Sequence, residues 1–410
     1  MVNKIIFSIL CGFAVLLVTW IYQNYDFSFS VEDAFLKKVF LWKDKIYSAP
    51  SKQKADVLFI NTGKDLALVE DTLEYGNVAV SDRQKIYQLL HYIDSFQAKP
   101  IFTVADIQFY YPYTINPQID SSLSEEFKKN KQSLIPLMKN INGNYQKPLY
   151  AANYAYSDYR TYGSVFNKFR ILNQSNSPSI PIAMDAIINH AVYEDHFFYS
   201  TSNGRLCLSA IWPSYYIKND DVIKTAKEVT PNLQLGRESP AKSFAKNINI
   251  QYYNLGELTM SIETNPSAYT DFFNNQLVVI GNFDNDTHLT PVGRMAGPVL
   301  LTDIYLSLLN EQHIISNWFF IALLLVFSAI SYVALFKKIP ELKLNFKFLF
   351  SSYVVKFIKG YISYFGCMFV LSILVLIIFN VQVALFLPSF IFTWIEYIAQ
   401  KKYKSTDTTK

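Results

Sequence analysis

The sequence predicts an α/β fold, an extracytoplasmic sandwich around a largely parallel sheet, held by four transmembrane helices, one before the domain and three after it. Three observations predict it. Long apolar runs sit at the two ends of the chain, charge of opposite sign is segregated between the ends and the middle, and the middle alternates strand-length apolar runs with helix-spaced ones. With 410 residues, 51% hydrophobic, 17% charged and a net charge of +4, the composition excludes disorder, a collagen-like chain and a small disulfide scaffold. The mild net charge gives no reason to expect a nucleic-acid partner. Cys11 and Cys367 fall within apolar runs, which leaves Cys207 as the only thiol in the middle segment.

Taken in order, Ile5 to Tyr22 is an 18-residue run with neither charge nor Pro, close to the roughly 20 residues a crossing helix needs. A cleaved signal peptide is the competing reading, but its apolar stretch is shorter and ends in a small-residue site that is missing here. Three further spans are expected at Trp318–Phe336, Tyr361–Asn380 and Val381–Ala399. Lysines set the orientation. The flank before the first span carries +1, the loop of residues 337–360 carries +5, the tail carries +3, and residues 23–317 carry −4. Excess positive charge marks the cytoplasmic side, so both termini are expected inside and the middle segment outside. The expected organisation is an anchor (1–22), an extracytoplasmic domain (23–317), three helices with a basic loop (318–400) and a tail (401–410). No cytoplasmic stretch in that scheme is long enough for a catalytic domain. Glu396 and Pro388 lie in the fourth span; the acid is near enough to Lys401 to reach the interface, and the proline predicts a kink.

Within the middle segment, Asp56–Asn61 (DVLFIN) has the continuous apolar character of a strand buried on both faces. Ser81 and Gln84 form a capping box for a helix whose Ile86, Leu89, Leu90, Ile93 and Phe96 recur at helical spacing. PIFTVAD at Pro100–Asp106 follows as a second strand, and this strand, helix, strand succession predicts a parallel crossover. Further strands are expected at Lys147–Asn153, Ile248–Tyr253 and Gln276–Asn282, and helices at Pro181–Val192 and Pro298–Gln312. DNDTHLTPVGR, after the last strand, reads as a polar loop.

The succession DVLFIN, helix, KPIFTVADIQF, INIQYY and LVVIGNFDNDTHLTPVGRMAGPVLLTDIYLSLLN, over roughly Ala55 to Gln312, resembles the type-two CHASE domain. That family is an extracellular sensor attached to bacterial kinases and cyclases, and its members place one span before the sensor and three after it. Asp106 stands where the family has an Asp after its second strand, and Arg83 resembles the Arg opening the first helix. Gly281 ends the VVIG-type strand, while Asp286, Thr290 and Pro291 resemble the family's Asp and Thr-Pro loop. VAVSDR replaces the family's Trp-Pro-Trp-Pro-Arg stretch, and GPVLLTD lacks the acid and imidazole found there in relatives. The resemblance implies a bacterial inner-membrane sensor. Its output would lie in a separate protein partner, since no kinase or cyclase accompanies it here.

The candidate ligand-binding residues are Asp106, Arg83, Asp286 and Thr290. Asp106 ends a predicted parallel strand, the edge where open α/β sheets bind ligands; capping the next loop or pairing with Arg83 is its structural alternative. Asp284, Asp286 and His288 alternate and are candidate ligands for a divalent cation, or else turn-forming residues of a solvated loop. His190 and His196 flank Glu194 and Asp195 and invite the same two readings. Tyr110, Tyr111, Tyr113, Tyr154, Tyr156, Tyr159 and Tyr162 offer either a recognition surface or cover for a core. The loop of residues 337–360 interleaves lysines with Phe346, Phe348 and Phe350, as an inner-leaflet docking segment or as positive-inside charge alone. GxSxG, HExxH, GxxxxGK[ST] and CxxC patterns are missing, so no enzyme and no cofactor is expected. The expected partners are the membrane, a separate protein and a small-molecule ligand; the alternative is a structural subunit of an envelope assembly.

Overall fold

The computed structural model describes residues 2–24, 51–71, 76–107, 111–139, 153–156, 159–162, 165–171, 178–196, 199–211, 213–217, 242–245, 247–337, 352–379 and 383–407, with a few isolated residues between them. After helix α1 (Val2–Asn24), the α/β domain opens with β1 (Ala55–Asn61) and a hairpin of β2 (Leu66–Asp71) and β3 (Gly76–Ser81). Then come α2 (Arg83–Ser95), β4 (Phe102–Asp106), α3 (Pro117–Lys129), β5 (Ser133–Pro136), β6 (Tyr154–Ala155), β7 (Val165–Arg170) and α4 (Ile180–Asn189). The domain continues with β8 (Lys242–Ala245), β9 (Ile248–Asn254), α5 (Leu255–Thr264), β10 (Leu277–Gly281), a second hairpin of β11 (Thr287–Thr290) and β12 (Gly293–Ala296), and α6 (Gly297–Leu309). Three apolar or partly apolar helices follow, α7 (Asn317–Phe336), α8 (Ser352–Phe379) and α9 (Phe386–Asp407).

The main sheet runs β8-β9-β1-β10-β4-β5-β6, and every neighbouring pair is parallel except the edge pair β8–β9. Its central strands are apolar on both sides because both sides are covered. Phe59, Val104, Ile250 and Val279 pack on α4 and α6, while Leu58, Ile60, Ala105 and Ile280 pack on α2, α3 and α5. β1 and β4 are not neighbours, as the simplest crossover would have made them; β10 inserts between them.

Several boundaries correct the sequence reading. Ser81 belongs to β3, and the cap of α2 is Asp82, whose carboxylate accepts from the backbone N–H groups of Gln84 and Lys85. The expected capping box gives way because the hairpin carries the chain one residue further in extended form. DNDTHLTPVGR is a hairpin rather than a plain polar loop, turned at Gly293 with φ 124° and paired through Leu289 to Val165 of β7. The strand expected at Lys147–Asn153 lies outside the described residues but for Tyr150 and Asn153, and β6 follows directly after it. Residues 338–351 of the basic loop lie outside the described residues.

Three helices are long and apolar enough to cross a membrane: Val2–Tyr22, Asn317–Phe336 and Phe357–Phe379. They mark a membrane-associated protein. The residues of the fourth expected span do not form one apolar helix. Val381 and 383–385 precede α9, and α9 extends past Ala399 to take in Lys401, Lys402, Lys404 and Asp407. α9 nevertheless packs on α7 and α8, with Phe392 edge-on to Phe327 and stacked on Tyr364. α1 lies along α7, where Trp20 meets Phe320. One apolar cluster runs from Ile182, Leu208 and Leu308 through Ile315 and Phe319 to Phe327 and Phe392, so the domain and the helices share a core.

Candidate functional site

The C-terminal ends of the parallel strands gather the chemistry. Asn61 and Asn254 are register partners at the ends of β1 and β9. The Asn61 amide donates to Asn254 Oδ1 (3.3 Å) and Asp284 Oδ2 (3.1 Å), and its carbonyl accepts from the N–H groups of Gly63 (2.8 Å) and Phe283 (3.1 Å). One fully buried amide thus ties two strands to the loop after β10. Beside it, Asp65 accepts from the Gly256 N–H at the start of α5 (2.9 Å) and pairs with Lys85 of α2. That contact raises the lysine pKa above its ordinary value.

Asp106 ends β4 in register with Gly281. Burial pushes its carboxyl up to about 7; the negative charge of Asp286 adds to the shift and His288 opposes it. A protonated carboxyl there could donate a hydrogen bond, whereas the ionised form could only accept. His288 Nε2 lies 3.1 Å from Asp286 Oδ1, and this hydrogen bond raises the imidazole pKa above its usual value. The ring stands edge-on to Phe166 of β7, centroids 5.8 Å apart.

Asp286 also meets the start of α6. Its backbone carbonyl accepts from Gly297 N–H (2.8 Å), and its carboxylate occupies the space a Cβ on residue 297 would need. A negative group at a helix N-terminus is favourable. Glycine is required there because of that close approach. α6 then runs back through the core, buried from Gly297 to Leu308, and ends where Asn310 accepts from Lys52 N–H (2.7 Å) ahead of β1. The helix therefore reaches from the strand C-termini to the opposite end of the sheet, and α7 starts seven residues after Asn310.

The other expected residues are placed elsewhere. Arg83 does not join Asp106. Fully buried, it pairs with Asp120 of α3 (2.7 Å), donates to the Tyr111 carbonyl, and lies over the rings of Phe109, Tyr113 and Tyr150 at 5.7 to 5.8 Å. Asp120 also accepts from Tyr150 Oη (2.6 Å) and Tyr113 N–H (2.9 Å), so this network locks α2 to α3. Thr290 donates to the Gly293 carbonyl (2.6 Å) and closes the hairpin turn. Asp284 accepts from the Asn61 amide. Among the described residues no three His, Cys, Asp or Glu side chains are placed to hold a metal ion.

His190 is the left-handed cap of α4, while His196 stacks on Tyr199 and lies 3.4 Å from Glu194. Tyr113 and Tyr156 are buried and serve the core; Tyr110 and the side chains of Tyr159 and Tyr162 lie outside the described residues. A cavity of 690 Å³ opens at the other end of the sheet, among Leu90, Ile93, Lys99, Phe127 and Asn275, and includes none of the Asp106 cluster.

Sequence reasoning passed over Asn61, Asn254, Asp65 and Lys85. A usable signal was there: two of the apolar strands, DVLFIN and INIQYYN, both end in Asn. Compared with known proteins, the chain matches no family model, no curated protein and no solved structure.

Proposed function

We propose that the chain is a non-enzymatic sensor of the bacterial inner membrane, related to the type-two CHASE domains. In this reading the α/β sandwich lies on the periplasmic side, α9 is the fourth span, both termini are cytoplasmic, and a separate protein carries the output. A small molecule or partner engages the edge formed by Asp106, Asp286 and His288. The observation that carries the reading is α6, a single buried helix seated on Asp286 at one end and followed within a few residues by α7 at the other. A ligand that favours one seating of Asp286 shifts α6, and with it α7 against α1, in proportion to its differential affinity for the two states.

The test is native mass spectrometry of the full-length protein from mild detergent, combined with disulfide crosslinking between cysteines placed on α1 and α7. An adduct present in the wild type and lost in Asp106→Asn, with an altered crosslinking yield, supports the proposal. No adduct, no co-purified protein and equal yields in both proteins would sink it. The alternative, a subunit of an envelope assembly, draws on the outer face of the first hairpin, where Leu66 and Leu68 stay 44% and 64% exposed.

A further inference from the structure

The far end of α6 holds a second titratable side chain under opposite conditions. His313 sits in the connector of residues 310–316 between α6 and α7 and is 3% exposed, and neither ring nitrogen has a hydrogen-bond partner. The connector is clamped to the strand Arg205–Cys207: Leu208 N–H donates to the His313 carbonyl (2.9 Å), Ile315 N–H to the Leu206 carbonyl (2.9 Å), and Cys207 bridges to Ile314.

The groups around the imidazole are known from each element. From α4 comes Asp185, whose carboxylate already accepts from Asn189 (2.7 Å) and Tyr193 Oη (2.6 Å). Tyr193 presents its ring 5.8 Å from that of His313. The clamping strand brings Arg205, ion-paired with Glu311 of the connector itself, and the buried thiol of Cys207; Tyr305 of α6 lies near Asp185. Burial holds the imidazole down at about 4, reinforced by Arg205 and opposed by Asp185 and Glu311. The two acids offset burial only in part: Asp185 is engaged by Asn189 and Tyr193, Glu311 is paired with Arg205, and neither hydrogen-bonds the ring. A cation enclosed without a partner costs far more than a neutral ring.

We propose that His313 is an acid-operated latch: taking up a proton releases the connector from the strand Arg205–Cys207 and loosens the join between α6 and α7. Exposed to water the ring binds a proton readily; enclosed it does not. Each pH unit below the ordinary histidine range therefore favours the open connector about tenfold, to a limit of roughly 300-fold. The latch requires nothing of the Asp106 edge, although it acts on the same join between α6 and α7 through which binding there would be relayed.

Hydrogen exchange of the full-length protein in lipid nanodiscs tests it, following peptides over residues 310–316 and 205–211 from pH 7.5 to 4.5 with intrinsic rates corrected. In the wild type their protection is expected to fall by about two orders of magnitude between pH 6.5 and 4.5, while β1 stays protected, and His313→Gln is expected to show no such fall. Unchanged wild-type protection, or the same loss in the Gln variant, overturns the latch. Carbon-13 histidine labelling of the wild type supplies a readout that needs no variant. A His313 signal that titrates only as protection is lost supports the proposal, and one titrating between pH 6 and 7 with the connector still protected overturns it.

Discussion

The two ends of α6 solve the same problem differently. At the N-terminal end, Asp106 is half-buried, with an imidazole–carboxylate pair close enough to influence it; at the C-terminal end, His313 is fully enclosed and unpaired. Burial disfavours charge in both places, so it raises the acid and lowers the base. The consequence is opposite pH responses along one helix: alkali charges one end and acid charges the other. Partnered and unpartnered burial are thus distinguishable by experiment.

The sharpest attack on the N-terminal end is Gly297→Ala, whose methyl group would occupy the place of the Asp286 carboxylate. A loss of about 3 kcal/mol is expected by denaturant unfolding, partly recovered in the double variant with Asp286→Ala. At the other end, His313 gives a stability that is complete above pH 6.5 and disappears as pH falls through about 4. Wild type should therefore lose up to about 3 kcal/mol relative to His313→Gln over that window, read as a difference in melting temperature.

Asp106 should behave the other way. Its contribution is full below the ordinary carboxyl value of 3.8 and is lost as pH rises through about 7. Asp106→Asn is then expected to match wild type at pH 4 and to exceed it by about 1–2 kcal/mol at pH 8, a figure already reduced for solvent screening. The smallest effect belongs to Lys85, whose side chain is 38% exposed in its pair with Asp65. Lys85→Met should change stability by less than about 1 kcal/mol, and less again in high salt.

What the sequence revealed follows from the range of the forces involved. β1, β10 and α6 were legible because an element covered on all sides must be apolar along its length, and that pattern is local. The helix-capping position was misplaced by one residue because Ser81 is held by cross-strand pairing with Leu66, which overrides the local capping preference. The hairpin within DNDTHLTPVGR was missed because its polar residues carry little strand signal; pairing with β7 and the left-handed Gly293 define it. For the site, Asp106 was placed by its position at a strand end and Asp286 and His288 by proximity in sequence. The pairing of Asp106 with Arg83, one of the two structural alternatives, does not form, because the acid that meets Arg83, Asp120, lies 37 residues away on α3. His313 gave no sign at all, since its enclosure depends on docking against a strand about a hundred residues earlier.

The late insertion of β10 governs how the domain is made. The strand that occupies the middle of the sheet, between β1 and β4, is supplied by residues 277–281. Until those residues emerge from the ribosome, the two halves of the sheet have no common neighbour and their apolar edges stay open. Such distant pairings fold slowly and expose sticky edges meanwhile. Biogenesis of this domain therefore hangs on roughly its final seventh, and chain stalls before that point should yield substrates for chaperones and proteases rather than partly working protein.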